Sequence, residues 1–153
     1  MSLDIVAQFQ RERLHRAAQE GDLALVEELL KRKYPINRFD SIGKTPLHYA
    51  VRGEHFAVVD RLIRAGANVN AHDERQIGDT PLGDNAENCS YEMAKRLIDA
   101  GADPTIPGWM RLTALDRAER RKRSDGQAVL KLLREAVKRL RSSRAEMSKV
   151  RRN

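Results

Sequence analysis

With one cysteine in 153 residues, Cys89, the chain cannot form an internal disulfide, which suits a reducing compartment. No apolar run approaches the length of a membrane span, and Met1-Ser2-Leu3-Asp4 lacks the basic start and apolar stretch of a secretory leader. A cytoplasmic protein is expected. No Cys/His cluster has the spacing of a zinc site and no glycine-rich phosphate loop occurs, so neither metal nor cofactor is expected. Catalysis needs a nucleophile or an acid–base pair gathered in a water-poor pocket, and one cysteine with four scattered histidines offers no such set. The chain is expected not to be an enzyme. Aromatic residues make up 5% of the sequence and none falls after residue 111, where the basic residues concentrate, so base stacking has no platform there.

What the sequence has is a repeat. Gly43-Lys44-Thr45-Pro46-Leu47-His48-Tyr49-Ala50, followed by Leu62-Ile63 and Gly66-Ala67-Asn68, recurs in degraded form along most of the chain. Marking each copy by its leucine, Leu14 to Leu47 is 33 positions, Leu47 to Leu82 is 35 and Leu82 to Leu115 is 33. Within the second copy, Thr45 is placed to cap a helix whose first position, Pro46, needs no N–H partner. Leu47, Ala50 and Val51 give that helix an apolar side. Gly53-Glu54-His55 then breaks the chain before a second amphipathic helix carrying Phe56, Val59, Leu62 and Ile63, and Gly66 stands where a C-terminal cap favours positive φ. Neither helix can bury its apolar side alone. Stacked copies can.

A period near 33 with Thr-Pro-Leu-His, a paired Leu-Ile and Gly-Ala-Asn at these offsets resembles the ankyrin repeat, over roughly residues 11–137. The resemblance implies an all-α solenoid of four helix-turn-helix repeats joined by hairpin-like loops. One domain would span residues 1–141, with repeats at about 11–38, 39–71, 72–105 and 106–140 and the outer two acting as caps. It also implies that His15 and His48 bond backbone groups and the helix-capping hydroxyl, and that the protein works by binding other proteins. Arrays of this kind seldom self-associate, so a monomer is expected.

In such arrays the loops form fingers that, with the inner helices, line a concave binding face. Mapped onto this sequence, the second repeat presents Phe39, Ser41, Ile42 and Lys44 on its finger and Tyr49 and Arg52 on its inner helix. The next finger is longer by two, since Asp73 to Thr80 is 7 positions and Asp40 to Thr45 is 5; it carries Glu74, Arg75, Gln76 and Ile77. The third repeat departs most from the pattern. Gly83 replaces the histidine and Asn85 takes a small apolar position, leaving Asp84, Glu87 and Asn88 as an acidic, amide-rich patch suited to a basic partner, unless the acids only face water and Asn85 bonds the next hairpin's backbone. The fourth finger holds the only tryptophan. Pro107-Gly108 turns the chain so that Trp109, Met110 and Arg111 lie near its tip, where Trp109 either anchors an interface or folds back over the third repeat.

The net charge of +7 is unevenly placed: residues 1–110 carry 14 Lys+Arg against 17 Asp+Glu, and residues 111–153 carry 15 against 5. Val129, Leu132, Leu133, Ala136, Val137 and Leu140 keep helical spacing, which predicts an outer helix to about Arg141 and then a basic, disordered tail over residues 142–153. Residues 120–126 hold a two-residue insertion, expected as a loose, exposed turn. The basic end reads first as a solvated cap, with an anionic partner, nucleic acid included, behind it and a membrane surface last. The family resemblance extends to short bacterial ankyrin proteins of the immunity or inhibitor kind, which occlude a cognate toxin, effector or enzyme; a scaffold tethered to a polyanion by its basic end is the alternative.

Overall fold

The computed structural model describes residues 7–10, 12–76 and 78–151. Among these, every regular element is helical. Four helical pairs follow one another: α1 (Arg13–Glu20) with α2 (Leu23–Lys31), α3 (Pro46–Arg52) with α4 (Phe56–Arg64), α5 (Pro81–Asn85) with α6 (Tyr91–Asp99), and α7 (Ala114–Ala118) with α8 (Gly126–Val150). The inner helices α1, α3, α5 and α7 pack in sequence order, and α2 lies on α4 and α6 on α8 behind them. Leu14, Leu47 and Leu82 are buried at equivalent places, and Leu115 packs half-buried against the same core. Leu29, Leu62, Leu97 and Leu133 repeat the arrangement on the outer helices.

The entry to each pair follows from its capping residues. Asp22 and Ser90 accept Leu25 and Met93 N–H at the starts of α2 and α6, and the hydroxyls of Thr80 and Thr113 accept Gly83 and Asp116 N–H at the starts of α5 and α7. At α3 the His48 ring does part of this work, its Nδ1 accepting Thr45 N–H at 3.0 Å. After α4 and α6 the chain turns out through Gly66 and Gly101, both at φ +94°, the left-handed conformation that the helix-ending glycine was expected to take.

An asparagine ladder joins these exits. Asn37 bonds Gly66 O and Asn68 N, and Asn70, 33 positions on, bonds Gly101 O and Asp103 N, so each side chain ties one repeat's exit to the next. Asp103, a further 33 on, ends the ladder and accepts Arg144 from α8 at 2.8 Å.

That last contact lies beyond the expected end of the last helix. The helix expected to stop near Arg141 continues to Val150, and residues 142–150 are helical. Ser142-Ser143-Arg144-Ala145-Glu146-Met147 contains neither glycine nor proline to stop a helix that is already nucleated, and Arg144 anchors its start to the stack. The turn over residues 120–126 is not uniformly loose either. The Arg121 side chain is fully buried there, its guanidinium donating to Ala86 O, Cys89 O and Asp125 Oδ1 at 2.7–2.8 Å. The insertion thus feeds a cation into carbonyls that the short third inner helix leaves unpaired.

Candidate binding face

The second finger is organised by Asp40, a residue outside the expected set. Its Oδ1 accepts Ile42 and Lys44 N–H, closing the turn, and its Oδ2 accepts the Tyr49 hydroxyl at 2.6 Å. Tyr49 is thereby occupied with the fold: burial and the Asp40 bond push its phenol well above the usual range, and its ring meets His15 edge-on at 6.1 Å. Phe39 is half-buried, whereas Ser41 and Ile42 are exposed, Ile42 by 59%.

Charges expected to face a partner instead hold adjacent repeats together. Lys44 pairs with Asp84 at 2.6 Å, and Arg52 reaches the other oxygen of Asp84 at 3.2 Å while remaining itself exposed. Burial alone would raise the Asp84 carboxyl, but Lys44 and Arg52 hold it below its ordinary value. An anion so compensated presents little charge to a basic partner. Glu87 and Asn88 do stand exposed beside it. Asn85 is buried and donates to Pro81 O in its own helix at 3.0 Å, rather than to the neighbouring hairpin. With Gly83 and Asn85 both weak helix formers, α5 is also short, at five residues against seven in α3.

On the third finger Glu74, Arg75 and Gln76 are exposed around a turn held by Asp73, whose Oδ1 accepts Arg75 N–H and whose carbonyl accepts Gln76 and Gly78 N–H. Ile77 lies outside the described residues. The base of this finger is Asp79, which sequence reasoning missed and which joins three repeats. Its carbonyl accepts His48 Nε2–H at 2.8 Å, both carboxylate oxygens take Arg117 Nη2 at 2.9 Å, and Oδ1 also accepts Trp109 N–H at 3.2 Å. Burial pushes the Asp79 carboxyl up, against the pull of Arg117. Gly108 lies so close that a Cβ there would fall 2.9 Å from Asp79 Cα, so only glycine fits. The signal for Asp79 was its place just before Thr80, the position of Lys44 in the repeat before. Nothing in the repeat pattern marks Arg117.

The fourth finger is therefore clamped at its root and open at its tip. Trp109 is 59% exposed and Met110 64%, and Arg111 is exposed beside them. Trp109 does not fold back. Met110 and Arg111 both stand at positive φ, 57° and 58°, a conformation that costs a side-chain-bearing residue roughly 1–2 kcal/mol. Two such residues in succession beside an exposed tryptophan form a loop not optimised for stability alone.

Three further side chains are taken up by the fold. His48 is buried with both ring nitrogens bonded, and Cys89 is buried with its thiol pushed up by that burial. His15 bonds Arg38 and Lys44 carbonyls through Nε2, as the resemblance implied, but has Glu12 where a hydroxyl would meet Nδ1. Among the described residues no group of three His, Cys, Asp or Glu could hold a metal ion, and no helix is long and apolar enough to cross a membrane.

Residues 14–108 match the family model described as ankyrin repeats (3 copies). The chain belongs to the ankyrin repeat family. The match ends inside the fourth finger, so α7 and α8 lie beyond it. Among curated relatives, the chain is 36% identical over 91 residues to the tyrosine-protein kinase Shark of Drosophila melanogaster, covering 60% of this chain and 10% of that protein. It is 41% identical over 66 residues to the RelA-associated inhibitor of Mus musculus, covering 43% of this chain and 8% of that one. A putative ankyrin repeat protein of Rickettsia felis is 32% identical over 99 residues, 59% of this chain and 42% of its own. The chain spans a tenth or less of the first relatives' length, so the similarity is one of repeat units. Ankyrin repeats mediate protein–protein interaction, and this array is a module of that kind.

Proposed function

We propose that this ankyrin array binds and neutralises a cognate protein, a toxin, effector or enzyme, by occlusion through its fingers and inner helices. The observation that carries the reading is the fourth finger, where Trp109 and Met110 stand out in water beside strained backbone at Met110 and Arg111, above a root that Asp79 and Gly108 fix. Burying a tryptophan whose backbone is already fixed recovers its apolar area without the cost of ordering the loop, which is how interface anchors gain their energy. Ile42, on the second finger, adds a separate exposed apolar side chain, and Arg52, Arg75 and Arg111 are exposed cations of the inner helix and fingers. The partner that fits has an apolar pocket bordered by carboxylates. A relative named as an inhibitor supports the neutralising role, and a bacterial relative supports a bacterial setting; the protein would act in the cytoplasm as a monomer.

The test is affinity capture from the native host with the full chain as bait, followed by titration of the captured protein and assay of its activity. Trp109→Ala should weaken binding by about 30-fold or more, the scale of losing a 2 kcal/mol anchor, and leave the melting temperature within a degree or two. A captured partner that binds the variant equally well, or whose activity is untouched by saturating array, overturns the proposal.

A further inference from the structure

Helix α8 outruns every other helix of the stack. Its start is level with α6, where Asp125 accepts Tyr91 N–H, yet α6 ends at Asp99 and α8 continues to Val150. At 3.6 residues per turn, Lys131, Arg134, Lys138, Arg141 and Lys149 fall within about 80° of one another. All five are exposed. The other described members of that stripe, Gln127 and Ala145, are uncharged, and Glu135 and Glu146 lie off its edge. Arg134 is the one cation of the row with an ion pair among the described residues, an exposed contact of 3.3 Å to Glu119, a kind of contact that water largely screens. At 1.5 Å per residue the row is about 27 Å long.

We infer that this row is a docking edge for duplex nucleic acid, gripping the phosphate backbone without reading sequence. Helix geometry excludes the other polyanion surfaces in turn. Val129, Leu133, Val137 and Leu140 face the stack roughly 130° around the helix from the basic row, and Met147 and Val150 continue on that far side. A helix lying on a membrane needs a long apolar side free, and this one spends Val129 to Leu140 on α6 and α7, leaving only Met147 and Val150 exposed beyond the stack. Acidic proteins are bound through patches with an apolar centre, and the row contains no apolar residue larger than Ala145. Single strands are held by aromatic side chains on which bases stack, and the row has none. A straight line of point charges matches a duplex, which presents one negative charge per 1.7 Å or so of its axis. The edge is separate from the fingers, so its test does not depend on the partner proposed above.

The experiment is fluorescence anisotropy of a labelled duplex DNA of arbitrary sequence, about 24 base pairs long, titrated with the full chain between 50 and 200 mM NaCl. Five phosphate contacts give a slope of log K against log salt near −4.5, so affinity should fall by about 500-fold across that range. The double variant Lys131→Gln/Lys138→Gln should fall by only about 40-fold and bind less tightly at 50 mM, and Lys31→Gln, on α2, should match the parent. A circular-dichroism melt checks that each variant is folded. Three outcomes overturn the inference: no binding at 50 mM; a slope unchanged in the double variant; or tighter binding to single-stranded DNA, polyglutamate or phosphatidylserine vesicles than to duplex.

Discussion

His48 makes the stack sensitive to acid at one identifiable place. Its ring is buried, Thr45 N–H donates to Nδ1, and Nε2–H donates to Asp79 O, so the only proton the neutral ring carries is already spent. Burial lowers its pKa from 6.5 to about 4, and a second proton would set Nδ1–H against Thr45 N–H, donor facing donor. Between those two values the unfolded chain takes up a proton that the folded chain refuses. Stability is then complete above pH 6.5, falls as pH drops through the window, and levels below about 4, the sign for a histidine whose folded pKa is depressed. A gap of that size is worth about 3 kcal/mol in all, and about 2 kcal/mol of it is lost between pH 7.5 and pH 5. Urea unfolding followed by circular dichroism at pH 7.5, 6.5, 5.5 and 5 measures this directly. Asp84, held low by Lys44 and Arg52, titrates below the window; the Asp79 carboxyl, pushed up by burial, shifts the opposite way and is common to parent and variant, so the comparison with a His48 substitution isolates the ring. His48→Gln should be less stable at pH 7.5 and lack this share of the acid loss. If parent and variant lose stability in parallel from pH 7.5 to 5, the neutral, doubly bonded ring is the wrong description of this site.

Other substitutions probe the joints and the finger. Arg121→Ala strips the Ala86 and Cys89 carbonyls and Asp125 of a buried cation and should lower unfolding free energy by about 3 kcal/mol, measured by urea titration; a loss under 1 kcal/mol would mean that water replaces the guanidinium. Met110→Gly removes a side chain at φ 57° and should raise stability by up to about 1 kcal/mol while weakening capture of the partner, opposite signs that a purely structural loop would not give.

The fold was legible because a 33-residue period carries its own explanation. Leu47, Ala50 and Val59 are needed at fixed helical spacing, Thr80-Pro81 and Thr113 open helices by local hydrogen bonding, and Gly66 and Gly101 close them in a conformation that glycine alone adopts freely. All of these act within a few residues of themselves. The end of α8 is not legible in composition, since Ser142 to Val150 is largely polar, but nothing in it ends a helix. Parts of the candidate face were misread for a different reason. Lys44, Tyr49 and Asp84 look available in a one-dimensional pattern, and each is engaged by a residue from another element. The fourth finger was readable only in part, since Pro107-Gly108 announces a turn without saying whether Trp109 faces out.

By itself, then, the sequence determined the repeat: which residues are helical, which are buried, and that neighbouring copies must stack to hide their apolar sides. Tertiary structure alone decided which charges are left over for a partner. Asp79 meets Arg117 across 38 positions and Arg144 meets Asp103 across 41, and a pairing at that distance depends on how far each repeat is displaced from the last. Local propensity carries no information about that displacement, whereas packing of the four leucine layers fixes it.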